Sequence, residues 1–494
     1  MTLPQQRLVI VSNRLPIVLE SEEGHLKVSP GTGGLITALA PVLRNRGGTW
    51  IGWSGSLDTD KQEEVASLIA GAQELAGYTC CPISLTKEDL DLYYHGFSNE
   101  IIWPLFHDLQ GFCNFVPSYW HSYQKVNKLF AEKTAQSTQD SDFIWVHDYH
   151  LMLLGDELRK MGKQSRMAFF LHIPFPPLDI FLKLPWRFQI IQALLQYDLI
   201  GFQTMRDKRN FIHCAKTLLP HLTAKAKGQL HVYKMEQREV SIGAFPISID
   251  YEEFANYANS QEVQQKAWHI HEILPNRTLI LSIDRLDYTK GITYRLEAIR
   301  CLLKRYPDLH TKITFIQLIV PSRTDIPRYS QLREDINRLV SEINSEFSQN
   351  GWVPIHYFFR SLPRSELVAY YRTCEVALVT SLKDGMNLVA KEFVACDIDH
   401  NGVLILSEFA GAAAQLHEEA LLINPYDIEG LAETIHRAIF MPKDERKKRI
   451  LAMQRNVRRY NIFWWVESFL TAAVQKELKD FPRIEEYIPK PENL

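Results

Sequence analysis

The stretch VALVTSLKDGMNLVAKEFVA, residues 376–395, can fold in very few ways. Val376–Thr380 reads as a buried parallel strand, Ser381-Leu382-Lys383-Asp384-Gly385 as a polar loop, and a helix begins near Met386. Strand, glycine-bearing loop and helix N-terminus together make an anion site. The first N–H groups of a helix have no internal partners and carry the positive end of its dipole. Asp384 in the loop and Glu392 in the helix are acceptors, suited to hydroxyls rather than phosphate. A phosphate site beside hydroxyl sites suggests a sugar nucleotide.

Short apolar runs alternate with helical patterns from end to end, which predicts an α/β chain with parallel sheets. Candidate strands in the first half are Leu8–Ser12, Phe143–His147, Met167–His172 and Leu199–Gln203. In the second half they are Thr278–Ile283, Ile313–Val320, Ile355–Phe359, Val376–Thr380, Val403–Leu406 and Ala420–Ile423. A chain of 494 residues exceeds one ordinary core, so two domains are expected. The segment Ala244–Asp250, after the Lys-rich stretch Lys225–Glu239, reads as the passage between them, and the helix around Phe463-Trp464-Trp465 should pack on something large. The predicted division is 1–245, 246–460 and a last helix in 461–494.

Open α/β sheets bind ligands beyond the carboxyl ends of their strands. Those ends carry Asn13-Arg14, His147-Asp148, His172, Gln203, Arg285, Arg323, Asp384 and Glu408. Polar side chains at equivalent positions in both halves predict one cleft between two facing domains. Each taken alone could equally cap a helix or face solvent.

A net charge of −3 leaves no electrostatic footprint for nucleic acid, and no apolar run approaches the ~18 residues that span a bilayer. The N-terminus enters a strand without a basic-then-apolar leader, and seven scattered cysteines, with Cys80 and Cys81 adjacent, suit a reduced state. A cytoplasmic protein is expected.

Arg285 and Lys290, on the loop of SIDRLDYTKGI, could clamp a diphosphate or pair with Asp284 or Asp287. Beside the anion site near Gly385, the clamp is favoured. Gly31-Thr32-Gly33-Gly34 opens a helix, Leu35–Leu43, but lacks the last glycine of a dinucleotide fingerprint and a strand directly before it. It reads as a glycine loop close to a phosphate or sugar, or as an ordinary helix-start turn. His147, His150 and His172 match no zinc spacing. His172 could be a satisfied core histidine or a hydroxyl ligand, and Asp148 a hydroxyl acceptor or a base. Tyr94 and Trp103 by themselves read as core aromatics.

The segments VSNRLP (11–16), GTGGL (31–35), GWSG (52–55), the YY…FSN…WP pattern (93–104), WVHDYHL (145–151), FLHIPFP (170–176), GFQT (201–204), DRLDYTKG (284–291), DGMNLVAKEF (384–393), LSEFAGAA (406–413) and NPYD (424–427) resemble a known family in order and content. The family is the retaining glycosyltransferases that make trehalose 6-phosphate, glycosyltransferase family 20, and the resemblance covers nearly the whole chain. It implies a GT-B fold: two Rossmann-like domains with parallel sheets facing a central cleft. Similar enzymes move glucose from UDP-glucose to glucose 6-phosphate with retention and release UDP.

By that resemblance Arg285, Lys290 and amides near Gly385, Met386, Asn387 and Leu388 hold the diphosphate, and Glu392 the ribose. Asp384, His172, Gly33 and Gly34 hold the donor glucose. Arg14, Tyr94, Trp103 and Arg323 hold the acceptor phosphate, with Asp148 and Tyr149 at the acceptor sugar. Asp148, His172, Arg285, Lys290 and Asp384 make up the catalytic set. The last helix crosses back to the first domain. No cofactor and no obligatory metal are expected, UDP-glucose being a co-substrate. A homo-oligomer is expected, with a separate phosphatase for the product since no DxDGT-like motif occurs.

Lys383 stands where members often have arginine, keeping charge without the bidentate fork. Other readings are a relative using another phosphorylated acceptor, such as a glucosylglycerol-phosphate synthase, and a non-catalytic sugar-phosphate sensor. Complete SNR and GTGG segments disfavour the first, and a full set of polar side chains the second. A nicotinamide dehydrogenase is disfavoured by the broken glycine fingerprint.

Overall fold

The computed structural model describes residues 6–22, 25–31, 34–55, 68–69, 71, 77–235, 238–323, 326–475, 478 and 487–488, with side chains except at 18–22, 25–30, 34, 37–38 and 45. The chain divides into two compact units, Met1–Ile247 with Ile462–Ile484, and Ser248–Asn461 with Glu485–Leu494.

Unit 1 is built from β1 (Leu8–Arg14), β2 (Ile17–Glu22), β3 (His25–Pro30), β4 (Thr49–Trp53), β5 (Thr79–Ile83), β6 (Phe143–His147), β7 (Arg166–Phe170), β8 (Leu199–Phe202), β9 (Ala224–Lys227), β10 (Leu230–Lys234) and β11 (Glu239–Ala244). All but β2 and β3 form one sheet in the order β5-β4-β1-β6-β7-β8-β11-β10-β9. Its central strands are parallel and covered on both faces, which is why LVIVS, FIWVH and LIGF read as continuous apolar runs. The Lys-rich stretch expected as an approach to the linker instead forms the antiparallel hairpin β9–β10 at the sheet edge. Exposed lysines suit such an edge, because they discourage pairing with another chain.

Unit 2 holds β12 (Thr278–Arg285), β13 (Ile313–Val320), β14 (Ile355–Phe359), β15 (Val376–Val379), β16 (Val403–Ser407) and β17 (Leu421–Ile423). They form a fully parallel sheet in the order β14-β13-β12-β15-β16-β17. Among the parallel strands of each sheet the order reverses at one place: between β1 and β6 in unit 1, between β12 and β15 in unit 2. At such a switch point the flanking loops diverge to opposite faces and leave a crevice beyond the strand ends. Arg14 and Asp148 stand at the first, Arg285 and the loop to Asp384 at the second.

The helix Ile462–Gln475 returns the chain to unit 1. Of its leading aromatics only Trp465 is buried, 5.0 Å from the rings of both Trp145 and Phe170. Phe463 is exposed and Trp464 half-buried, because one helical face alone meets the sheet. Among the described residues no helix is long and apolar enough to cross a membrane.

Candidate active site

In unit 2, β12 ends with the exposed side chain of Arg285. The chain then turns through Tyr288–Lys290 to Gly291 at φ 64° and enters the helix Ile292–Arg305. A Cβ on Gly291 would lie 2.3 Å from the carbonyl oxygen of Thr380, so this turn presses directly on the end of β15. Because β12 and β15 are parallel neighbours, their loops meet. Lys290 Nζ donates to Asp384 Oδ2 at 2.6 Å, and Ser381 Oγ and Asn387 Nδ2 donate to the same oxygen at 3.2 Å. Lys290, expected at a diphosphate, and Asp384, expected at sugar hydroxyls, thus pair with each other.

The helix that follows is Leu388–Cys396, two residues later than expected. Asn387, at φ 84°, caps it by accepting from the Ala390 N–H at 3.1 Å. The loop is cinched from the β16 side: Gly411 N–H donates to Asp384 O at 3.1 Å and Ala412 N–H to Met386 O at 2.7 Å. A Cβ on Gly411 would fall 1.9 Å from Gly385 O, so only glycine permits this approach. Glu392 accepts from the Tyr371 hydroxyl at 2.8 Å, and burial pushes its carboxyl up.

Beneath the loops Arg295, fully buried, donates to Asp284 at 2.6 Å, to Thr380 at 2.9 Å and to Gln317 at 3.1 Å. Asp284 therefore serves the scaffold. Arg323, at φ 50°, donates to Asp287 Oδ2 at 3.3 Å and to the Tyr329 hydroxyl at 2.7 Å. Burial works to raise the Asp287 carboxyl, but Arg323 and Lys290 outweigh it and hold it low. Any phosphate that takes Arg323 competes with this carboxylate.

In unit 1, Arg14 is exposed at the end of β1, and its guanidinium lies 4.6 Å from the Trp53 ring and 5.8 Å from the Tyr94 ring. Trp53 is the register partner of Arg14 on β4. Tyr94 belongs to a wide π-type helix, Leu90–Ile102, whose i→i+5 bonding aligns it with Asn99. Asn99 donates to the Tyr94 carbonyl at 2.7 Å and accepts from the Tyr149 hydroxyl at 3.1 Å. His150 stacks on Tyr94 at 5.7 Å and lies 3.9 Å from Tyr149, which in turn sits 5.7 Å from Trp103. Arg14, Tyr94, Trp103 and Tyr149 are thus gathered around one aromatic wall.

Asp148 follows β6 at φ 74°, a conformation costly for a residue with a Cβ. Its N–H donates to Phe170 O at 2.8 Å, and its Oδ1 accepts from the His172 N–H at 3.3 Å. Of the seven non-glycine residues at positive φ among the described residues, three, Asp148, Arg323 and Asn387, fall among the expected ligand-binding residues. The partly buried His172 ring lies between His147 Nδ1, 3.1 Å from its Nε2, and Gln203 Nε2, 3.3 Å from its Nδ1. Both ring nitrogens are engaged by protein.

Gly33 lies outside the described residues, and Gly34 opens the helix Gly34–Arg46. A strand, β3, does precede this loop, contrary to expectation. It pairs only in the antiparallel hairpin with β2, so the dinucleotide fingerprint remains unmet.

Among the described residues no group of three or more His, Cys, Asp and Glu could hold a metal ion. The segment from Asp397 to Glu408, DIDHNGVLILSE, has the spacing of a calcium loop. It cannot fold as one, because residues 403–407 are the buried strand β16 and Asp397 accepts from the Asn401 and Gly402 amides.

The sequence profile of glycosyltransferase family 20 matches residues 6–475. The chain belongs to glycosyltransferase family 20. A trehalose-6-phosphate synthase of Mycolicibacterium smegmatis is 40% identical to it over 492 residues, covering 98% of this chain and 96% of that one. A UDP-forming α,α-trehalose-phosphate synthase of Burkholderia xenovorans, solved in complex with glucose-6-phosphate, matches with TM-score 0.85 and 35% identity, covering 94% and 99%. An E. coli trehalose-6-phosphate structure bound with UDP-2-fluoro glucose matches with TM-score 0.84 and 36% identity, covering 95% and 99%. This family 20 glycosyltransferase has the α/β GT-B fold with two parallel-dominated sheets.

Sequence reasoning missed Trp53, Asn99 and His150. Trp53 lay in the quoted GWSG segment, yet only the pairing of β4 with β1 shows that it meets Arg14. Asn99 is visible only once the helix is known to be of the wide type.

Proposed function

We infer that this enzyme moves glucose from UDP-glucose to glucose 6-phosphate with retention at the anomeric carbon, giving α,α-trehalose 6-phosphate and UDP. The observation that carries this reading is the near full-length match to a synthase solved with glucose-6-phosphate. In unit 2, Arg285, Lys290 and the amides of Gly385, Met386, Asn387 and Leu388 take the charge that collects on the departing diphosphate, and Glu392 takes the ribose. Fixed cations and amide dipoles need no reorganisation as that charge develops. Asp384, His172 and the Gly33-Gly34 loop hold the donor glucose. In unit 1, Arg14, Tyr94 and Trp103 serve the acceptor phosphate, with Asp148 and Tyr149 at the acceptor sugar. Arg323 in unit 2 is assigned to the acceptor phosphate as well.

Fixed cations do the work a metal would do, so no obligatory metal or other cofactor is required. The product is a phosphate ester, so a separate phosphatase consumes it. We place the enzyme in the cytoplasm as a homo-oligomer. Its free cysteines, seven among the described residues, fit a reducing compartment.

The test is UDP release together with NMR identification of the product, with glucose 6-phosphate, glycerol 3-phosphate and free glucose as alternative acceptors. A site built to bind phosphate should reject free glucose by roughly 10⁴-fold. Glycerol 3-phosphate outcompeting glucose 6-phosphate, or glucose serving comparably, would overturn the acceptor assignment.

A further inference from the structure

Gln203 has no role in the assignments above, yet it sits at a junction. Its Oε1 accepts from the Ile247 N–H at 2.9 Å, and its Nε2 lies 3.3 Å from His172 Nδ1. Ile247 is the last residue before the chain leaves unit 1. The second passage is tied down close by. Trp465, in the first turn after the chain returns, donates through Nε1 to Phe245 O at 3.0 Å, with its ring 6.3 Å from that of His172. The Phe245 N–H donates in turn to Phe202 O at 2.7 Å, beside Gln203.

The donor–acceptor inventory fixes every proton in this chain. A backbone N–H can only donate, so the Gln203 oxygen must face Ile247 and its NH₂ must face His172. His172 Nδ1 is then an acceptor, and a neutral ring carries its proton on Nε2. That proton points at His147 Nδ1, 3.1 Å away, which puts the His147 proton on Nε2, an atom buried without a hydrogen-bond partner. Burial supports the neutral state, lowering His172 to about 3 and His147 well below its ordinary value. The main chain of His172 is held at the same time through its N–H on Asp148.

We propose that Gln203 is a positioning residue for glucosyl transfer: one carboxamide locks the tautomer and orientation of His172 and ties them to the backbone at which the chain leaves unit 1. It acts through His172 and touches no substrate. The proposal rests on the glucosyltransferase reading only for its kinetic arm, since the proton positions do not depend on which substrates are used.

Neutron diffraction from the deuterium-exchanged wild-type enzyme reads those positions directly. Deuterium on His172 Nε2 and none on Nδ1 is expected; deuterium on Nδ1 overturns the proposal. Gln203→Glu is nearly isosteric but cannot donate, so it should move a proton onto His172 Nδ1. Both Gln203→Glu and Gln203→Leu should lower kcat roughly 100-fold, with KM for each substrate within about threefold of wild type, as for a misplaced group rather than a lost binding contact. A kcat near the wild-type value in either folded variant, or a change in KM alone, would overturn it. Failure of the wild-type enzyme to release UDP would instead count against the function and leave the proton assignment standing.

Discussion

Lys290 Nζ and Asp384 Oδ2 stand 2.6 Å apart, with both side chains largely buried. A charge pair of this kind compensates each partner, so removing one strands the other. Lys290→Ala should therefore destabilise the protein by about 2–4 kcal/mol, beyond any loss of diphosphate binding. Adding Asp384→Asn should return part of that stability without restoring activity. A double-mutant cycle from urea unfolding measures the coupling, and strictly additive effects would mean that the pair contributes nothing.

Trp53 holds Arg14 by a cation–π contact at 4.6 Å without being expected to touch substrate itself. Trp53→Leu should raise KM for glucose 6-phosphate roughly tenfold, the size of a lost cation–π contact, and spare KM for UDP-glucose. Steady-state kinetics with each substrate varied in turn decides this. An equal rise in both KM values would point to general loosening of the sheet.

Activity should persist in excess EDTA if, as proposed, fixed cations and helix amides rather than a metal serve the departing diphosphate. The measurement is UDP release after exhaustive chelation. Complete loss that Mg²⁺ reverses would contradict the assignment of Arg285 and Lys290.

Lys391 is fully buried with its Nζ on Gln415 Oε1 at 2.7 Å, and burial lowers its pKa from 10.5 to about 7. Between those two values the unfolded chain binds a proton that the folded protein does not, so stability rises with pH across the window and falls as pH drops toward 7. Below 7 both states hold the proton and this contribution stops changing. Lys391→Met should flatten the rise by up to about 1.4 kcal/mol per pH unit. Urea midpoints at pH 7 and pH 9 test it; an unchanged slope would show that Lys391 stays charged in the folded protein.

The chain alone determined its α/β class, most of its central strands and the polar residues at their ends. A parallel strand covered on both faces must be a short unbroken apolar run, and its carboxyl end must give way to polar loop chemistry. β6, β13 and β14 lie at the residues expected. The strand β4 and the edge strand β5 beside it were not legible, since TWIGW and TCCPI carry too little pattern to stand out. Only the tertiary structure decided which polar groups meet. Lys290 finds Asp384 because β12 lies beside β15, Arg14 finds Trp53 because β1 lies beside β4, and the His172 ring is spent on His147 and Gln203 because β6, β7 and β8 lie in a row. Each pairing joins residues tens of positions apart in the chain. Strand order, set by crossovers that bury helices against the sheet, brings them within hydrogen-bonding distance, and no local periodicity encodes it.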